Sequence, residues 1–162
     1  MNAMRAMTAM RLVRAAVLVR MAVLVGVAGC GGDAPVDAPP PMPAIELPAD
    51  LDQVLRAYES AYSQRDSSGL ADLFAADGFL LRPGRPPVRG APGAAQSLAR
   101  EGGALALVPL AYGRSDSVGY IIGTFGAERS AGEGGKFVLA LARGPAGEWR
   151  IAADIDNANR GR

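Results

Sequence analysis

The alternation of apolar and polar residues near the C-terminal end of the chain predicts a β-hairpin. Large apolar side chains occur at every second position from 137 to 141, which is the period of two of a strand. Residues 144–147, Gly-Pro-Ala-Gly, predict the turn, because glycine and proline set backbone angles that strands do not adopt. A second strand follows over 149–157, and we expect the rest of the domain to cover the apolar side of this hairpin.

The second strand of the hairpin carries two acidic residues whose orientation matters for function. Strict alternation places Trp149 and Ile151 on one face and Asp154 and Asp156 on the other. We expect the face of Trp149 to pack on the helices, which leaves both acids facing solvent or a partner chain. The opposite orientation would place them in a pocket as a pair of carboxylates.

Apolar residues at helical spacing predict three helices in the first half of the domain. Asp50 is the expected N-cap of the first helix, and Gln53 completes a pair that resembles a capping box. Asp66 is expected to cap the second helix, and a proline at position 92 suits the start of a weak third one. The predicted ranges are 50–64, 69–75 and 92–100.

Shorter apolar runs separated by turns predict the remaining strands. Pro109 is expected to kink its strand or to place it at the edge of the sheet, because proline lacks the backbone donor. Helices followed by consecutive strands indicate an α+β domain, with two to three helices packed on one face of an antiparallel sheet. The predicted strands cover 79–81, 88–90, 104–114 and 118–129.

The N-terminal segment predicts export and lipid attachment. Residues 1–20 contain four arginines and no acidic residue, and residues 21–28 form an uninterrupted apolar run. This pattern is typical of a secretory signal peptide. Val27-Ala28-Gly29-Cys30 resembles the lipobox of bacterial lipoproteins, which implies cleavage before Cys30 and attachment of lipid to it. We therefore expect a protein of the bacterial cell envelope, lipid-anchored to the periplasmic or extracytoplasmic face of a membrane.

These signals divide the chain into three parts. Residues 1–29 are the predicted lipoprotein signal peptide, and residues 30–48 are a proline-rich linker that holds the domain away from the membrane surface. Residues 49–159 are predicted to form the folded domain.

Charge and composition exclude several classes of function. Four of the 17 basic residues lie before Cys30, so 13 basic and 16 acidic residues remain in the mature chain, a net charge of about −3. This sign argues against nucleic acid as a partner. The absence of histidine excludes His-based catalysis and the usual zinc sites, and we expect neither a metal nor a cofactor.

Three segments of the domain, in their order and spacing, carry a family resemblance. They are the helix with tyrosines at 58 and 62, the segment LADLFAADGFLLRPGRPPVRG, and the hairpin GGKFVLALARGPAGEWRIAADIDN. Together they make residues 51–157 similar to the SnoaL-like group of the nuclear transport factor 2-like superfamily, which includes ketosteroid isomerase and polyketide cyclases. The resemblance implies a cone: a curved antiparallel sheet around the first helix, with an apolar pocket at the open end. It also implies a homodimer formed through the sheet.

Asp77 is a candidate base for proton transfer. It lies between Phe74 and Phe79 in the sequence, and desolvation by these two rings would raise the pKa of its carboxyl. The alternative is that Asp77 and Gly78 form only a turn.

Tyr58 and Tyr62 are candidate hydrogen-bond donors. In enzymes similar to ketosteroid isomerase, a tyrosine from the first helix donates to a developing oxyanion, and either residue fits that description. The alternative is that both are core residues with a hydroxyl at the edge of a pocket. The candidate pocket residues are Phe74, Phe79, Tyr120 and Trp149.

A cluster of arginines lies in the proline-rich segment that follows the predicted strand 79–81. Arg82, Arg85 and Arg89 could hold an anionic ligand at the mouth of the pocket or contact anionic lipid headgroups. The alternative is a solvated loop.

Two functions follow from these patterns. The first is a lipid-anchored envelope protein whose domain binds a small, largely apolar molecule or serves as an interaction module. The second is an enzyme of the isomerase or cyclase type, with an aspartate as proton shuttle and a tyrosine as oxyanion donor. Convergence of the acid and the tyrosine on one cavity favours the second.

Overall fold

The computed structural model describes residues 42–129 and 134–159. The predicted signal peptide, Cys30 and the first part of the predicted linker lie outside these residues. Among the helices of the described part, none is long and apolar enough to cross a membrane.

The helices lie close to their predicted ranges. Asp66 caps the second helix as predicted, because its side chain accepts hydrogen bonds from the N–H groups of Ser68 and Gly69, each at 3.0 Å. The third helix has a proline in its first turn, as expected. The bounds are α1 Ala49–Ser63, α2 Ser67–Leu73 and α3 Ala91–Glu101.

The start of α1 differs from the prediction. Pro48 occupies the cap position, and Asp50 lies inside the first turn without capping it. The Asp50 carboxylate instead accepts a hydrogen bond from the indole Nε1 of Trp149 at 2.9 Å and pairs with Arg114 at 2.6 Å. These contacts tie the first turn of α1 to the sheet, and a carboxylate there also stabilises the positive end of the helix dipole.

Six strands form one curved, open sheet in the order β2-β1-β6-β5-β4-β3. The prediction of an α+β domain with helices on a curved sheet is confirmed. One pairing differs, because β1 and β6 are parallel whereas the other neighbours are antiparallel. Parallel neighbours need a long crossover, and the chain from β2 to β5 supplies it. The strands are β1 Phe74–Leu81, β2 Val88–Arg89, β3 Ala106–Arg114, β4 Val118–Gly126, β5 Gly135–Arg143 and β6 Trp149–Ala158.

β1 begins five residues earlier than predicted. It contains Asp77 and Gly78, which the sequence had indicated as a turn. Its pairing with β6 is irregular between Phe74 and Phe79, so this stretch is a distorted strand.

β3 lies at an edge of the sheet, as Pro109 predicts, and its register shifts directly after this proline. The backbone of Leu107 is bound by side chains of α1. Oε1 of Glu59 accepts a hydrogen bond from the N–H of Leu107 at 2.6 Å, and Nη2 of Arg56 donates to its carbonyl at 3.1 Å. The N–H of Ile45 donates to the carbonyl of Pro109 at 3.0 Å. Groups outside the sheet thus occupy this part of the edge.

The core lies between the helices and one face of the sheet. The apolar stripe of α1 that the sequence predicts is buried there, and Trp149 at the start of β6 is buried with it. The side chains with the least exposure are Leu51, Leu55, Leu70, Leu80, Leu98, Ile121, Leu139, Leu141 and Ile151.

Candidate functional site: a cavity with a buried tyrosine–aspartate pair

A cavity of about 280 Å³ lies between α1, the C-terminal end of α3 and the covered face of the sheet. Most of its wall is apolar, and a few polar side chains converge on it, as is usual for small-molecule sites. The apolar side chains include Leu98, Leu105, Leu107, Phe125, Phe137 and Leu139, and the polar ones are Tyr58, Tyr62, Arg82, Asp154 and Asp156.

A β-bulge in β6 directs Asp154 toward this cavity. One residue of β6, Ala152, has no partner in β5, so the alternation shifts by one position after it. Asp154 therefore lies on the same face as Ile151 and is only 4% exposed. Trp149 packs in the core as expected, but the expectation that Asp154 and Asp156 face solvent is wrong, because after the bulge both acids line the cavity.

Tyr58 and Asp154 form a buried hydrogen-bonded pair. The Tyr58 hydroxyl donates to Oδ2 of Asp154 at 2.8 Å. Burial raises the pKa of Asp154 to about 6, and the hydrogen bond from Tyr58 partly opposes this rise. Burial also raises the pKa of Tyr58 well above its ordinary value, so the hydroxyl keeps its proton. Asp154 is therefore a carboxylate that is mostly ionised at neutral pH and takes up a proton in mild acid.

The second acid of the cavity, Asp156, is paired with an arginine. Nε of Arg82 donates to Oδ2 of Asp156 at 3.1 Å, and Nη1 of Arg82 lies 2.7 Å from Oε2 of Glu101. Nη1 is buried and is not aligned for a hydrogen bond with any acceptor among the described residues. Burial raises the pKa of Asp156, and Arg82 partly opposes the rise. Among the described residues, Asp154 is thus the carboxylate of the cavity wall that lacks an ion pair.

Both tyrosines that the sequence singled out line the cavity. Tyr58 and Tyr62 are one helical turn apart, and their rings stack with centroids 6.4 Å apart at an angle of 16°. Burial raises the pKa of Tyr62 as well. The structure therefore places two hydroxyl groups and Asp154 at one site.

Asp77 is not at this site. Its side chain is 78% exposed, and Arg89 lies 3.6 Å from its carboxylate. Phe79 lies under the guanidinium of Arg89, at 5.4 Å, and does not shield Asp77. The condition on which its role as a base depended, desolvation by Phe74 and Phe79, is not met, and the structure does not bring Asp77 together with Tyr58.

The four aromatic residues predicted for the pocket lie elsewhere. Phe74 and Trp149 are buried in the core, and Phe79 and Tyr120 are exposed on the uncovered face of the sheet. The indole of Trp149 donates to Asp50, so the need of this buried group for an acceptor is met. Sequence reasoning missed Phe125 and Phe137 as aromatic residues of the cavity. For Phe137, the available signal was the alternation of β5, which buries every second residue from 135 to 141.

The predicted arginine cluster contributes one residue to the cavity. Arg82 lines it, whereas Arg85 pairs with Glu101 at 3.3 Å and Arg89 with Asp77. In the described part of the chain, no group of three or more histidine, cysteine or acidic residues is arranged to hold a metal ion.

Comparison with known proteins places this geometry in a known fold. No protein-family model and no curated protein matches the chain. A solved ketosteroid isomerase-like protein from Erwinia carotovora atroseptica matches with a TM-score of 0.58 at 18% identity, over 70% of this chain and 96% of that one. The fold is that of the nuclear transport factor 2-like proteins.

Two further solved structures support the same fold. A nuclear transport factor 2-like protein with a cystatin-like fold from Novosphingobium aromaticivorans has a TM-score of 0.57 at 18% identity, over 70% of this chain and 82% of that one. A nuclear transport factor 2-like superfamily protein from Salmonella enterica serovar Typhimurium has a TM-score of 0.57 at 17% identity, over 69% of this chain and 90% of that one. The predicted resemblance is confirmed at the level of the fold.

The domain presents a defined chemistry in its cavity. Asp154 can accept a hydrogen bond or a proton, since it is ionised at neutral pH and one of its oxygens receives no hydrogen bond from the described residues. The burial of Asp154 strengthens the polar contacts that it makes.

Proposed function

We propose that this protein is a lipid-anchored protein of the bacterial cell envelope whose domain binds a small, largely apolar molecule. The observation that carries the proposal is the cavity itself, an apolar space of about 280 Å³ with the Tyr58–Asp154 pair in its wall. Burying a carboxylate costs stability, and such a cost is typically retained where a functional site needs the group.

Native mass spectrometry tests the binding function directly. Residues 40–162, which form one compact unit, are purified without lipid and analysed under mild conditions. A bound small molecule of defined mass is expected, and it should be lost from the Leu139→Trp variant, in which a larger side chain fills the cavity. If the wild type and Leu139→Trp carry the same molecule to the same extent, the ligand binds outside the cavity.

The lipid anchor is the second part of the proposal and rests on the sequence around Cys30. Cys30→Ser is expected to abolish acylation, because the sulfur that receives the lipid is absent. The measurement is metabolic labelling with a fatty acid, followed by separation of membrane and soluble fractions. A wild-type protein that takes up no label would contradict the anchor.

We also propose that two copies of the domain associate through the uncovered face of the sheet. Tyr120 and Ile122 of β4 and Ile155 of β6 are 44%, 39% and 42% exposed there. Val138 lies between Ile122 and Ile155 in the register and continues the apolar row. This row of side chains carries no charge, so two copies can pack it against itself without like charges meeting within the row.

Substitution in this face is expected to convert a dimer into a monomer. Ile122→Glu places a charge in the proposed interface and should halve the mass measured by light scattering after size-exclusion chromatography. Gln96→Glu adds the same charge at an exposed position of α3 and should leave the mass unchanged. A wild-type protein that is monomeric at high micromolar concentration would contradict the proposal.

The second candidate function is an enzyme of the isomerase or cyclase type, and the pKa of about 6 of Asp154 favours it. Asp154 would then replace Asp77 as the proton shuttle, with Tyr62 as the oxyanion donor, because Tyr58 already donates its one hydroxyl proton to Asp154. Exchange of carbon-bound deuterium from the ligand found by mass spectrometry tests this role. Exchange that is no faster with the wild type than with Asp154→Asn would reject it.

A further inference from the structure

We propose that the cavity selects small apolar amines in their cationic form. This inference rests on the ligand-binding function proposed above and names the chemical class of the ligand. The charge of the cavity wall, the aromatic rings in it and the protonation state of Asp154 support this class.

The three carboxylates around the cavity, Asp154, Asp156 and Glu101, outnumber the arginines that face them. Arg82 is the cation of the wall, and it contacts two carboxylates, those of Asp156 and Glu101. Arg85 shares Glu101 but is 64% exposed, so solvent screens its charge. Asp154 has no ion pair among the described residues, so the wall as a whole is negative when Asp154 is ionised.

One carboxylate oxygen of Asp154 can accept a hydrogen bond from a ligand in the cavity. Tyr58 donates to Oδ2, and Oδ1 receives no hydrogen bond from the described residues. A protonated amine supplies both a donor and a compensating charge, so its hydrogen bond to the carboxylate also gains the attraction between two opposite charges. An alcohol supplies the donor alone, and an anion supplies neither.

The aromatic residues of the cavity suit the same ligand. Tyr58 and Tyr62 stack on one side, and Phe125 and Phe137 line the cavity from neighbouring strands. Aromatic faces carry negative electrostatic potential, so rings around a desolvated ammonium group add a cation–π attraction. Their apolar surface also accommodates the hydrocarbon part of the ligand.

Arg82 is the feature that opposes this inference. Its Nη1 makes no aligned hydrogen bond and could donate to an anionic or neutral acceptor, although Asp156 and Glu101 more than balance the charge of Arg82. A matched set of ligands separates these outcomes. Adamantylamine, adamantanol and adamantanecarboxylate share one apolar cage and differ in charge.

The experiment is calorimetric titration of the full chain in a mild detergent, with Asp154→Asn in the same detergent as the control for partitioning. At about pH 8 we expect the amine to bind at least about tenfold more tightly than the alcohol, and the carboxylate to bind most weakly. The amine preference should fall toward pH 5, because Asp154 takes up a proton there. The other titratable or charged groups around Asp154 are Tyr58, Tyr62, Asp156, Arg82 and Glu101. Asp154→Asn should lose the preference while still binding the alcohol.

The outcomes distinguish this inference from the function on which it rests. If the alcohol or the carboxylate binds as tightly as the amine, or if Asp154→Asn keeps the preference, the amine class is wrong and the ligand-binding function stands. If none of the three binds, both the amine class and the binding function of this cavity are contradicted.

Discussion

Replacing Asp154 with asparagine is expected to raise the free energy of unfolding by on the order of 3 kcal/mol at about pH 8. Asparagine keeps the shape and still accepts the hydrogen bond from Tyr58, but it buries no charge. Burial moves the pKa of Asp154 from 3.8 to about 6, so the folded protein holds this proton more tightly than the unfolded chain. The stabilisation from the protonated carboxyl is complete below the lower value and is lost as the pH rises through about 6. Urea unfolding of both proteins at several pH values measures the difference.

The control for this prediction is Asp77→Asn, the same chemical change at an exposed position of the same sheet. It should change the free energy of unfolding by less than about 0.5 kcal/mol at each pH. The advantage of Asp154→Asn should vanish below about pH 4. A constant advantage at all pH values would mean that the charge of Asp154 is not the source of the cost.

Replacing Trp149 with alanine is expected to lower the free energy of unfolding by about 3–5 kcal/mol. Trp149 is 5% exposed, its indole donates to Asp50, and the guanidinium of Arg143 lies 4.0 Å from its ring centre. The substitution removes the largest side chain of the core and the link between α1 and β6. Circular dichroism during urea unfolding measures the loss, since the only tryptophan is the residue removed.

Trp149→Phe separates packing from hydrogen bonding in this prediction. Phenylalanine keeps an aromatic ring in the core but cannot donate to Asp50, so the expected loss is smaller, about 1–3 kcal/mol. Equal losses for alanine and phenylalanine would show that the hydrogen bond, not the packing of the ring, anchors α1 to the sheet.

The helices and the last hairpin could be predicted from the sequence because their signals are local. The apolar stripe of α1, with Leu51, Leu55 and Tyr58, becomes the buried face of the helix. The Gly-Pro-Ala-Gly segment at 144–147 connects β5 and β6 as expected. In both cases the residues that determine the structure are neighbours in the sequence, so tertiary contacts reinforce the local preference.

The orientation of Asp154 could not be predicted by alternation because a bulge has no fixed sequence signature. Ala152 and Ala153 are both small and apolar, so the pattern gives no sign of which one lacks a partner. A trace of the bulge appears only in the lengths of the strands, 9 residues in β5 and 10 in β6. This difference of one residue can be counted only when the first and last residues of both strands are known.

The prediction of the environment of Asp77 was wrong for a different reason. Asp-Gly is a strong turn signal, and it outweighs the weak strand preference of residues 74–78. In the structure, pairing with β6 extends β1 back to Phe74 and keeps Asp77 within an irregular strand. Pairing between residues that are about 75 positions apart in the sequence decides this structure, and no local pattern reports it.

The contacts of Glu59 and Arg56 with Leu107 have a consequence for aggregation. A free strand edge is a template on which another chain can add a strand. Here the edge at Leu107 and Pro109 is already occupied, and the strand at the opposite edge, β2, has only two residues. Fibril-like growth along the sheet is therefore disfavoured at these parts of its two edges.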